Sequence, residues 1–506
     1  MISCRLINSA CVLLYSGEYM RFCAVRNVGQ AQRDYLKKLL EKNAATVYGR
    51  RYGFAGISRY EDFAARVPLT KYEDYENYIS DISDGAQNVL TAEKVLLFEP
   101  TSGSSGGKKL IPYTASLKSE FQRGIKPWLY DIYKNVGGVK QGKSYWSITP
   151  VTDGKTVTKS GIPVGFEEDS AYFGRLSQAL VNRIFAVGGS VKFPGSMEAF
   201  WLETSRQLLS CKSLTLASVW NPTFMTILCG HIRDNFEILK NNLPLKRAEE
   251  IYRGLSGNRF DIVFPELKII SCWADSSAAA DAKELKKLFP TVYMQPKGLL
   301  ATEYFASFPL VGEEGGRLSV NSHFFEFRRG DGKIFTAENL GRGEYELIVT
   351  TGGGLYRYMT GDVVEVLDTY PDEPPRIRFL RRSGVTSDLR GEKLTDDFVR
   401  SVCVKLGIAD SFCLLAPEEH GYVLYTSCKS VTAEALDRAL RESYHYNYCR
   451  DLGQLDMARI VRVADDSHER YLKRLVDGGM RLGDIKPAYL SNKSGWYNYF
   501  ETGETR

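Results

Sequence analysis

Apolar and polar positions alternate along the middle of the chain in a pattern that predicts an α/β fold. Short apolar runs that end at polar or turn residues predict buried strands, and stretches with apolar positions at helical spacing lie between them. The predicted strands are 144–149, 214–220, 267–273 and 292–294. The predicted helices are 115–135, interrupted at Pro127, 176–187, 199–209, 224–241 and the segment that ends at Leu288. Because strands and helices alternate at this pitch, we expect a largely parallel sheet.

The two ends of the chain have different patterns. Residues 1–50 predict helices, and from about residue 317 short strands and turns predict a β-rich subdomain, with a turn at 372–375. Amphipathic helices at 395–406, 433–443 and 468–478 and strands at 412–415, 422–427 and 458–463 follow. We therefore predict a large domain over residues 1–384 and a small α+β lid over 385–506, an arrangement that can close a site against water.

Composition narrows the class of protein. The chain has 506 residues, of which 43% are hydrophobic and 25% charged, which is typical of a globular enzyme with two domains. A net charge of +5 is nearly neutral over this length and does not indicate a surface that binds nucleic acid. No apolar run approaches the roughly 18 residues of a membrane span. Asn8 and Ser9 break the apolar N-terminal stretch, so a packed helix is favoured over an export signal, and we expect a cytoplasmic monomer.

Cysteine and histidine usage points away from a transition-metal site. None of the ten cysteines has C-x-x-C spacing, and the five histidines lie far apart with no H-E-x-x-H motif. Buried reduced thiols are therefore the expected state of the cysteines.

A run of glycine and hydroxyl residues between two apolar segments is the first candidate for chemistry. Residues 101–109 have the sequence T-S-G-S-S-G-G-K-K. The apolar segments 95–98 and 110–113 on either side predict two strands joined by this glycine turn. Backbone N–H groups, hydroxyls and lysines at one point suit a polyphosphate. The run is not a Walker A loop, because Ser102 and Lys109 stand where that motif needs Gly and Ser or Thr. A flexible surface linker is the alternative interpretation.

Three shorter motifs follow it along the chain. G-L-L-A-T-E ends in Thr302 and Glu303, a hydroxyl beside a carboxylate, which can hold a phosphate and its Mg²⁺. Y-R-Y-M-T-G-D ends in Asp362, an acceptor suited to ribose hydroxyls, and G-E-K-L contains Lys393. Taken singly, Asp362 also fits a turn residue, and Glu303 a solvated charge.

In this order the motifs resemble the acyl-adenylate-forming (firefly luciferase-like) superfamily. Within it the match is to the Gretchen Hagen-type acyl acid amido synthetases, the auxin- and jasmonate-conjugating enzymes and their bacterial homologues. Further matching stretches are Y-G-R-R-Y-G-F from Tyr48, V-P-L from Val67, V-W-N-P-T-F from Val219, F-L-R-R-S-G from Phe379 and G-D-I-K-P from Gly483. The resemblance therefore covers nearly the whole chain.

The resemblance implies ATP and Mg²⁺ as cofactors and assigns roles by motif. Glu303 would bind Mg²⁺, Thr302 the α-phosphate and Asp362 the ribose, while Arg382 would lie at the hinge. Lys486 resembles the mobile catalytic lysine, and Glu303 and Lys393 complete the implied catalytic set. Lys108 replaces the proline common before the last lysine of the loop, so which of the two lysines faces phosphate stays open. The implied nucleotide-binding residues are Ser102, Gly103, Ser104, Ser105, Lys109, Thr302, Glu303, Asp362, Arg382 and Lys393.

The resemblance also implies a reaction. A carboxylic acid is activated as an acyl-adenylate with release of pyrophosphate, and the amine of an amino acid then forms an amide and releases AMP. Trp220 and Phe224 are candidates for an acyl pocket, although an aromatic at a strand end is more often core. Arg450 is a candidate for the amino-acid carboxylate or a surface charge. The alternatives are an acyl-CoA ligase of the same fold and a catalytically silent nucleotide-binding homologue.

Overall fold

The computed structural model confirms the predicted α/β class. It describes residues 4–102, 108–147, 156–165, 183–192, 196–275, 278–370, 372–382, 385–464, 466–477 and 488–500. Several separate sheets are present, flanked by helices of between 4 and 21 residues.

The chain divides into two compact units. The larger unit comprises Met1–Thr101 and Leu110–Arg381, and the smaller comprises Ser102–Lys109 and Arg382–Arg506. Residues 383 and 384, where we place the domain boundary, lie outside the described residues, so that boundary stays a prediction.

Helices make up much of the larger unit. Those that the structure describes there are Cys4–Cys23, Val28–Asn43, Val47–Arg51, Tyr60–Arg66, Glu76–Ser83, Ala115–Asn135, Met197–Ser210, Pro222–Asp234, Phe236–Leu239, Leu245–Ser256, Phe260–Val263 and Ala279–Leu288. The predicted interruption at Pro127 is wrong, because Ala115–Asn135 is one helix that continues through the proline. Pro127 and its neighbour Trp128 are buried, so packing holds the helix together across a residue that local propensity disfavours. The predicted helix at 176–187 lies mostly outside the described residues.

A parallel sheet of four strands lies in the larger unit, as predicted. Its strands, in spatial order, are Lys143–Trp146, Leu214–Ser218, Ile269–Cys272 and Tyr293–Pro296. The two central strands are buried at every position, as is typical of a parallel sheet covered on both faces. The carboxyl ends of all four strands share one edge, the edge at which α/β proteins bind ligands.

A seven-stranded sheet forms the predicted β-rich part. Its spatial order is Ile334–Thr336, Phe324–Arg328, Gly343–Thr350, Tyr358–Tyr370, Glu373–Arg382, Gly316–Leu318 and Ser307–Phe308. The predicted turn at 372–375 is wrong beyond Asp372, because Glu373 already begins a strand. Pro374 and Pro375 stand at the start of that strand, where a missing N–H is best tolerated, so pairing in the sheet prevails over their turn preference.

A further four-stranded sheet carries the strands on either side of the glycine run. Its spatial order is Lys108–Tyr113, Leu97–Ser102, Pro163–Val164 and Thr156–Val157. The two predicted strands beside the run are confirmed, and residues 103–107 between them lie outside the described residues.

The N-terminal helix Cys4–Cys23 packs into the core of the larger unit. Ile7, Cys11 and Tyr15 are buried in that core, and the Asn8 amide donates hydrogen bonds of 2.9 Å to the carbonyls of Lys140 and Gly142. The predicted packed helix is therefore confirmed. None of the helices described is both long enough and apolar enough to cross a lipid bilayer.

The smaller unit is α+β, as predicted. Its strands are Thr386–Ser387 with Leu394–Thr395, and Cys413–Glu418, Gly421–Thr426 and Arg459–Arg462. Its helices within the described residues are Asp396–Lys405, Ala433–Leu440, Tyr444–Asp451, Ser467–Asp477 and Tyr497–Phe500.

Candidate active site

A tight hairpin places Thr302 and Glu303 side by side at its tip. Ala301 and Tyr304 exchange backbone hydrogen bonds of 2.9 and 3.3 Å, and Leu300 and Phe305 bridge in antiparallel register next to them. This hairpin follows the last strand of the parallel sheet. The hydroxyl and the carboxylate, both half-buried, are therefore held on a two-residue turn with little freedom to move apart.

The predicted ribose acceptor lies next to this hairpin. Asp362 is buried, and its carboxylate accepts a short hydrogen bond from the hydroxyl of Tyr304. Thr360 supports it locally, since its Oγ1 accepts a hydrogen bond of 3.0 Å from the backbone N–H of Asp362. Gly361 has φ of 73°, a conformation that favours glycine and explains the T-G-D sequence. Two motifs that are far apart in sequence thus meet through one phenol.

The strand that follows the glycine run reaches the same hairpin. Tyr113, near the end of that strand, donates a hydrogen bond of 2.7 Å from its hydroxyl to the carbonyl of Thr302. The backbone N–H of Leu110 on this strand donates to the Tyr72 hydroxyl at 2.7 Å. Burial raises the pKa of the Tyr72 phenol, and nearby carboxylates, Glu303 among them, add to the increase. Glu303 therefore lies close to the segment that follows the proposed phosphate loop.

Several predicted residues of the glycine run fall outside what the structure describes. Gly103, Ser104 and Ser105 are among the residues that are not described, and Ser102 ends a strand with its backbone alone described. Lys109 lies half-buried in the strand Lys108–Tyr113. The phosphate-binding role of these residues stays a prediction.

In the smaller unit, a buried carboxylate organises the turn before Lys393. Glu392 accepts backbone hydrogen bonds of 2.6 Å from Leu389 and 2.7 Å from Arg390, and a short one from the Tyr422 hydroxyl. Burial raises the pKa of the Glu392 carboxyl to about 7. Lys393 itself has φ of 49°, a strained conformation for a side-chain-bearing residue. The turn therefore fixes the backbone from which Lys393 extends.

We expect Glu392→Ala to lower the free energy of unfolding of the smaller unit by about 2–4 kcal/mol, because two partly buried N–H groups lose their acceptor and the Tyr422 hydroxyl keeps only Ser387 Oγ. Urea unfolding followed by far-UV circular dichroism measures this. Glu442→Ala is the matched control, since Glu442 is half exposed in an ion pair with Lys405. Equal midpoints for the Glu392 variant and the unsubstituted protein would contradict the role assigned to this carboxylate.

Arg382, Lys486 and Arg450 are the other residues of this unit for which the sequence predicts a role, and the structure describes the side chain of Arg450 alone. Arg382 ends the strand Glu373–Arg382, with its backbone alone described, and Lys486 lies outside the described residues. The Arg450 guanidinium pairs with Asp437 at 3.0 Å and donates to the carbonyl of Leu455 at 2.6 Å. Arg450 therefore joins parts of its own unit.

Trp220 and Phe224, the candidates for an acyl pocket, have different surroundings. Trp220 follows the strand Leu214–Ser218 at the carboxyl edge of the parallel sheet and is 43% exposed. Phe224, on the helix Pro222–Asp234, is buried against Trp201 with ring centroids 4.9 Å apart. The structure thus gives Phe224 a packing partner, and the acyl-pocket role of either residue stays a prediction.

A buried lysine lies beside Trp220. Lys297 is 9% exposed, and its ammonium lies 5.0 Å from the ring centroids of Trp128 and Trp220 and 5.9 Å from that of Trp146. It donates a hydrogen bond of 2.7 Å to Ser218 Oγ. Burial lowers its pKa from 10.5 to about 7. Lys297 directly follows an apolar strand, and nothing in the sequence predicts that three indoles surround its side chain.

This pKa makes stability depend on pH. Between about pH 7 and 10.5 the unfolded chain holds the Lys297 proton more tightly than the folded protein does, so the site's contribution to the free energy of unfolding rises with pH. We expect Lys297→Met to be more stable than the unsubstituted protein at pH 7, with a smaller advantage at pH 9. Urea unfolding at both pH values measures the difference. An advantage that is unchanged with pH would contradict a buried, titrating ammonium.

Three stretches of the chain match domains of the GH3 family. Its N-terminal domain model matches residues 23–226, its central domain model residues 317–382 and its C-terminal domain model residues 397–495. Together these matches cover nearly three quarters of the sequence.

The chain belongs to the GH3 family.

Relatives within GH3 are distant but span most of the chain. A probable indole-3-acetic acid-amido synthetase from Oryza sativa subsp. japonica is 24% identical and covers 91% of both chains. A jasmonoyl–L-amino acid synthetase from Nicotiana attenuata is 23% identical over 81% of this chain and 78% of its own. A solved GH3.15 acyl acid amido synthetase in complex with 2,4-DB is 18% identical, with a TM-score of 0.67 over 97% of this chain and 95% of its own. This last similarity confirms the fold.

Proposed function

We propose that this GH3 protein is an ATP-dependent ligase that joins a small carboxylic acid to the amine of an amino acid. The observation that carries the proposal is the contact between two motifs, in which Tyr304, next to Glu303, donates to Asp362. This contact brings Thr302, Glu303 and Asp362 into one part of the larger unit, and we assign Glu303 to a metal ion and Asp362 to a ribose. Relatives named as amido synthetases supply the reaction type.

The donor set fits Mg·ATP as a substrate. Mg²⁺ prefers hard oxygen ligands and usually takes one or two protein carboxylates together with phosphate oxygens. Glu303 and Thr302 have side-chain oxygens of this kind, and in this proposal Asp362 accepts hydrogen bonds from a ribose. No group of three or more His, Cys, Asp or Glu side chains suited to a metal occurs in the described part of the chain. When bound, Mg²⁺ would offset the negative charge that builds up between the two anionic reactants.

The reaction proceeds in two steps. A carboxylate oxygen of the acid attacks the α-phosphorus of ATP, the bond to the β-phosphate oxygen breaks, and pyrophosphate leaves with the electron pair. The neutral amine then attacks the acyl carbon, the bond to the phosphate oxygen breaks, AMP leaves, and the amine gives up a proton. Thr302 positions the α-phosphate in this account, and the family resemblance assigns Lys393 and Lys486 to the nucleotide.

An acyl-CoA ligase is the nearest alternative, because the first step is the same and a thiol replaces the amine. A silent nucleotide-binding homologue is the second alternative. The assay that separates them follows pyrophosphate release with ATP, Mg²⁺ and a panel of carboxylic acids, alone, with mixed amino acids and with coenzyme A. Acid-dependent turnover that rises with amino acids supports the ligase, and a rise with coenzyme A alone would contradict it. No release with any acid would favour the silent homologue.

A further inference from the structure

A row of polar side chains crosses the parallel sheet near its carboxyl edge. In parallel register, Trp146 pairs with Ser218, Ser218 with Ser271, and Ser271 with Gln295. Residues paired in this way direct their side chains to the same face of a sheet. Lys297 lies two residues after Gln295 at the end of this row, and its ammonium donates a hydrogen bond of 2.7 Å to Ser218 Oγ. Three polar side chains and an ammonium thus lie on one face of the sheet, whose central strands carry one further polar residue, Thr215.

These groups have spare hydrogen-bonding capacity. Among the described residues, neither Ser271 Oγ nor the side-chain nitrogen of Gln295 has a hydrogen-bond partner, although Ser271 is fully buried and Gln295 nearly so. The Gln295 oxygen accepts from the indole nitrogen of Trp128 at 2.9 Å, which identifies its nitrogen as the free end. In the described parts of the chain no carboxylate forms an ion pair with Lys297. Buried polar groups normally find partners, so these donors indicate a ligand with acceptor oxygens.

Three indoles surround the Lys297 ammonium and would contact a ligand bound there. Trp128 and Trp220 each lie with their ring centroid 5.0 Å from the Lys297 ammonium, and Trp146 lies slightly farther away. Trp220 is the exposed member, and it packs beside Trp273 with ring centroids 6.0 Å apart. A ligand that enters along Trp220 meets aromatic surface first and the ammonium beneath it.

The carboxylate that reacts with ATP is a poor ion-pair partner for the Lys297 ammonium. When the acid becomes an adenylate, its carboxylate loses its negative charge, and a buried cation paired with it would be left without a partner, which is costly. Under the proposed function the α-phosphate binds elsewhere, at Thr302 on the hairpin tip. A group whose charge stays constant through both steps is the better partner for Lys297.

We propose that the acid carries a second anionic oxygen group, which Lys297 binds together with Gln295 and Ser271, so that the preferred substrates are dicarboxylic acids. This proposal rests on the proposed function. Burial lowers the pKa of Lys297, and an anion bound beside its ammonium would raise it again. Lys297 would then be a residue that determines acyl specificity.

The test compares matched probes that differ by one charge. Terephthalate and adipate are assayed against their monoamides, which keep one carboxylate to react and nearly the same shape. Amide formation and pyrophosphate release are measured for the unsubstituted protein, Lys297→Met and the control Lys287→Met, whose side chain is 71% exposed. We expect at least a tenfold higher kcat/KM for one or both diacids than for the matched monoamide, and loss of this preference only in Lys297→Met.

Binding separates failure of this inference from failure of the proposed function. Tryptophan fluorescence reports binding of the same probes without ATP, since three indoles surround the ammonium. If no acid is turned over but the diacids bind more tightly than the monoamides and Lys297→Met removes the difference, the anion site stands and the ligase reaction is wrong. Equal turnover and equal binding of diacid and monoamide, or no binding of any probe, would overturn the anion site. Urea unfolding confirms that Lys297→Met is folded, and Ser218→Ala offers a milder second variant, with a smaller loss of preference expected.

Discussion

Replacing Glu303 with glutamine lowers acid-dependent pyrophosphate release by about 100- to 1,000-fold, the usual cost of removing one electrostatic group at a reacting phosphate or carbonyl. Glutamine keeps the size of the side chain on the hairpin between Ala301 and Tyr304 but carries no charge for a metal ion. Binding of the acid without ATP stays unchanged, because the acid does not contact this side chain in our account. Initial rates at saturating ATP and Mg²⁺ measure the effect.

The control for this experiment is Glu314→Gln. Glu314 belongs to the same unit, is 70% exposed and pairs with Arg378, so its loss leaves the rate essentially unchanged. Thermal unfolding of both variants shows that neither change acts through stability. A Glu303→Gln enzyme with the rate of the unsubstituted protein would remove the metal role from this residue, whatever the resemblance implies.

Arg357→Met has the largest expected effect on stability, a loss of about 3–5 kcal/mol in the free energy of unfolding. Arg357 is 5% exposed and forms a buried ion pair with Glu326 at 2.9 Å. Its guanidinium also donates to the carbonyls of Ala64 and Val67 at 2.8 and 2.9 Å. Without it, Glu326 becomes an uncompensated buried carboxylate and two carbonyls lose a donor. Urea unfolding of the purified variant measures the loss.

Two further variants make this prediction specific. Arg329 directly follows the strand that carries Glu326, and Arg329→Met breaks its exposed ion pair with Asp331. We expect no measurable change in stability for this variant. Adding Glu326→Gln to Arg357→Met restores part of the loss, because the orphaned charge disappears. A loss as small for Arg357→Met as for Arg329→Met would show that Arg357 does not anchor the end of the helix Tyr60–Arg66 to the seven-stranded sheet.

Much of the fold could be predicted because its signals are local. The strands of the parallel sheet are short apolar runs, and Asn221-Pro222 marks the start of a helix by a capping side chain and a proline at its first turn. The failures at Pro127 and at Pro374-Pro375 have one cause. Proline has a strong local preference, and in both places packing or strand pairing in the folded protein prevailed over it.

The candidate site was only partly accessible from sequence. Thr302, Glu303 and Asp362 are adjacent to recognisable turns, so motif spacing found them. Tyr304 was missed, because its role is a contact with Asp362, 58 positions away, that no local pattern encodes.

Burial explains the other omissions. Lys297 and Glu392 are charged residues, which are usually exposed, and nothing in the sequence indicates that the fold encloses them. Arg357 lies inside a recognised motif, but its ion pair with Glu326 is a property of the sheet. These residues are the ones whose environment differs most from what their type suggests, and they are therefore the best targets for substitution.

The most direct test of the central claim is an isotope experiment on the carboxylate oxygen. An acid that supports turnover is prepared with both carboxylate oxygens as ¹⁸O, the reaction is run with an amino acid, and AMP and the amide are analysed by mass spectrometry. Our account predicts one ¹⁸O in AMP and the other in the amide carbonyl, because the bond to phosphate forms at the carboxylate and later breaks at the acyl carbon. AMP without ¹⁸O, or label found in inorganic phosphate together with ADP, would contradict an acyl-adenylate.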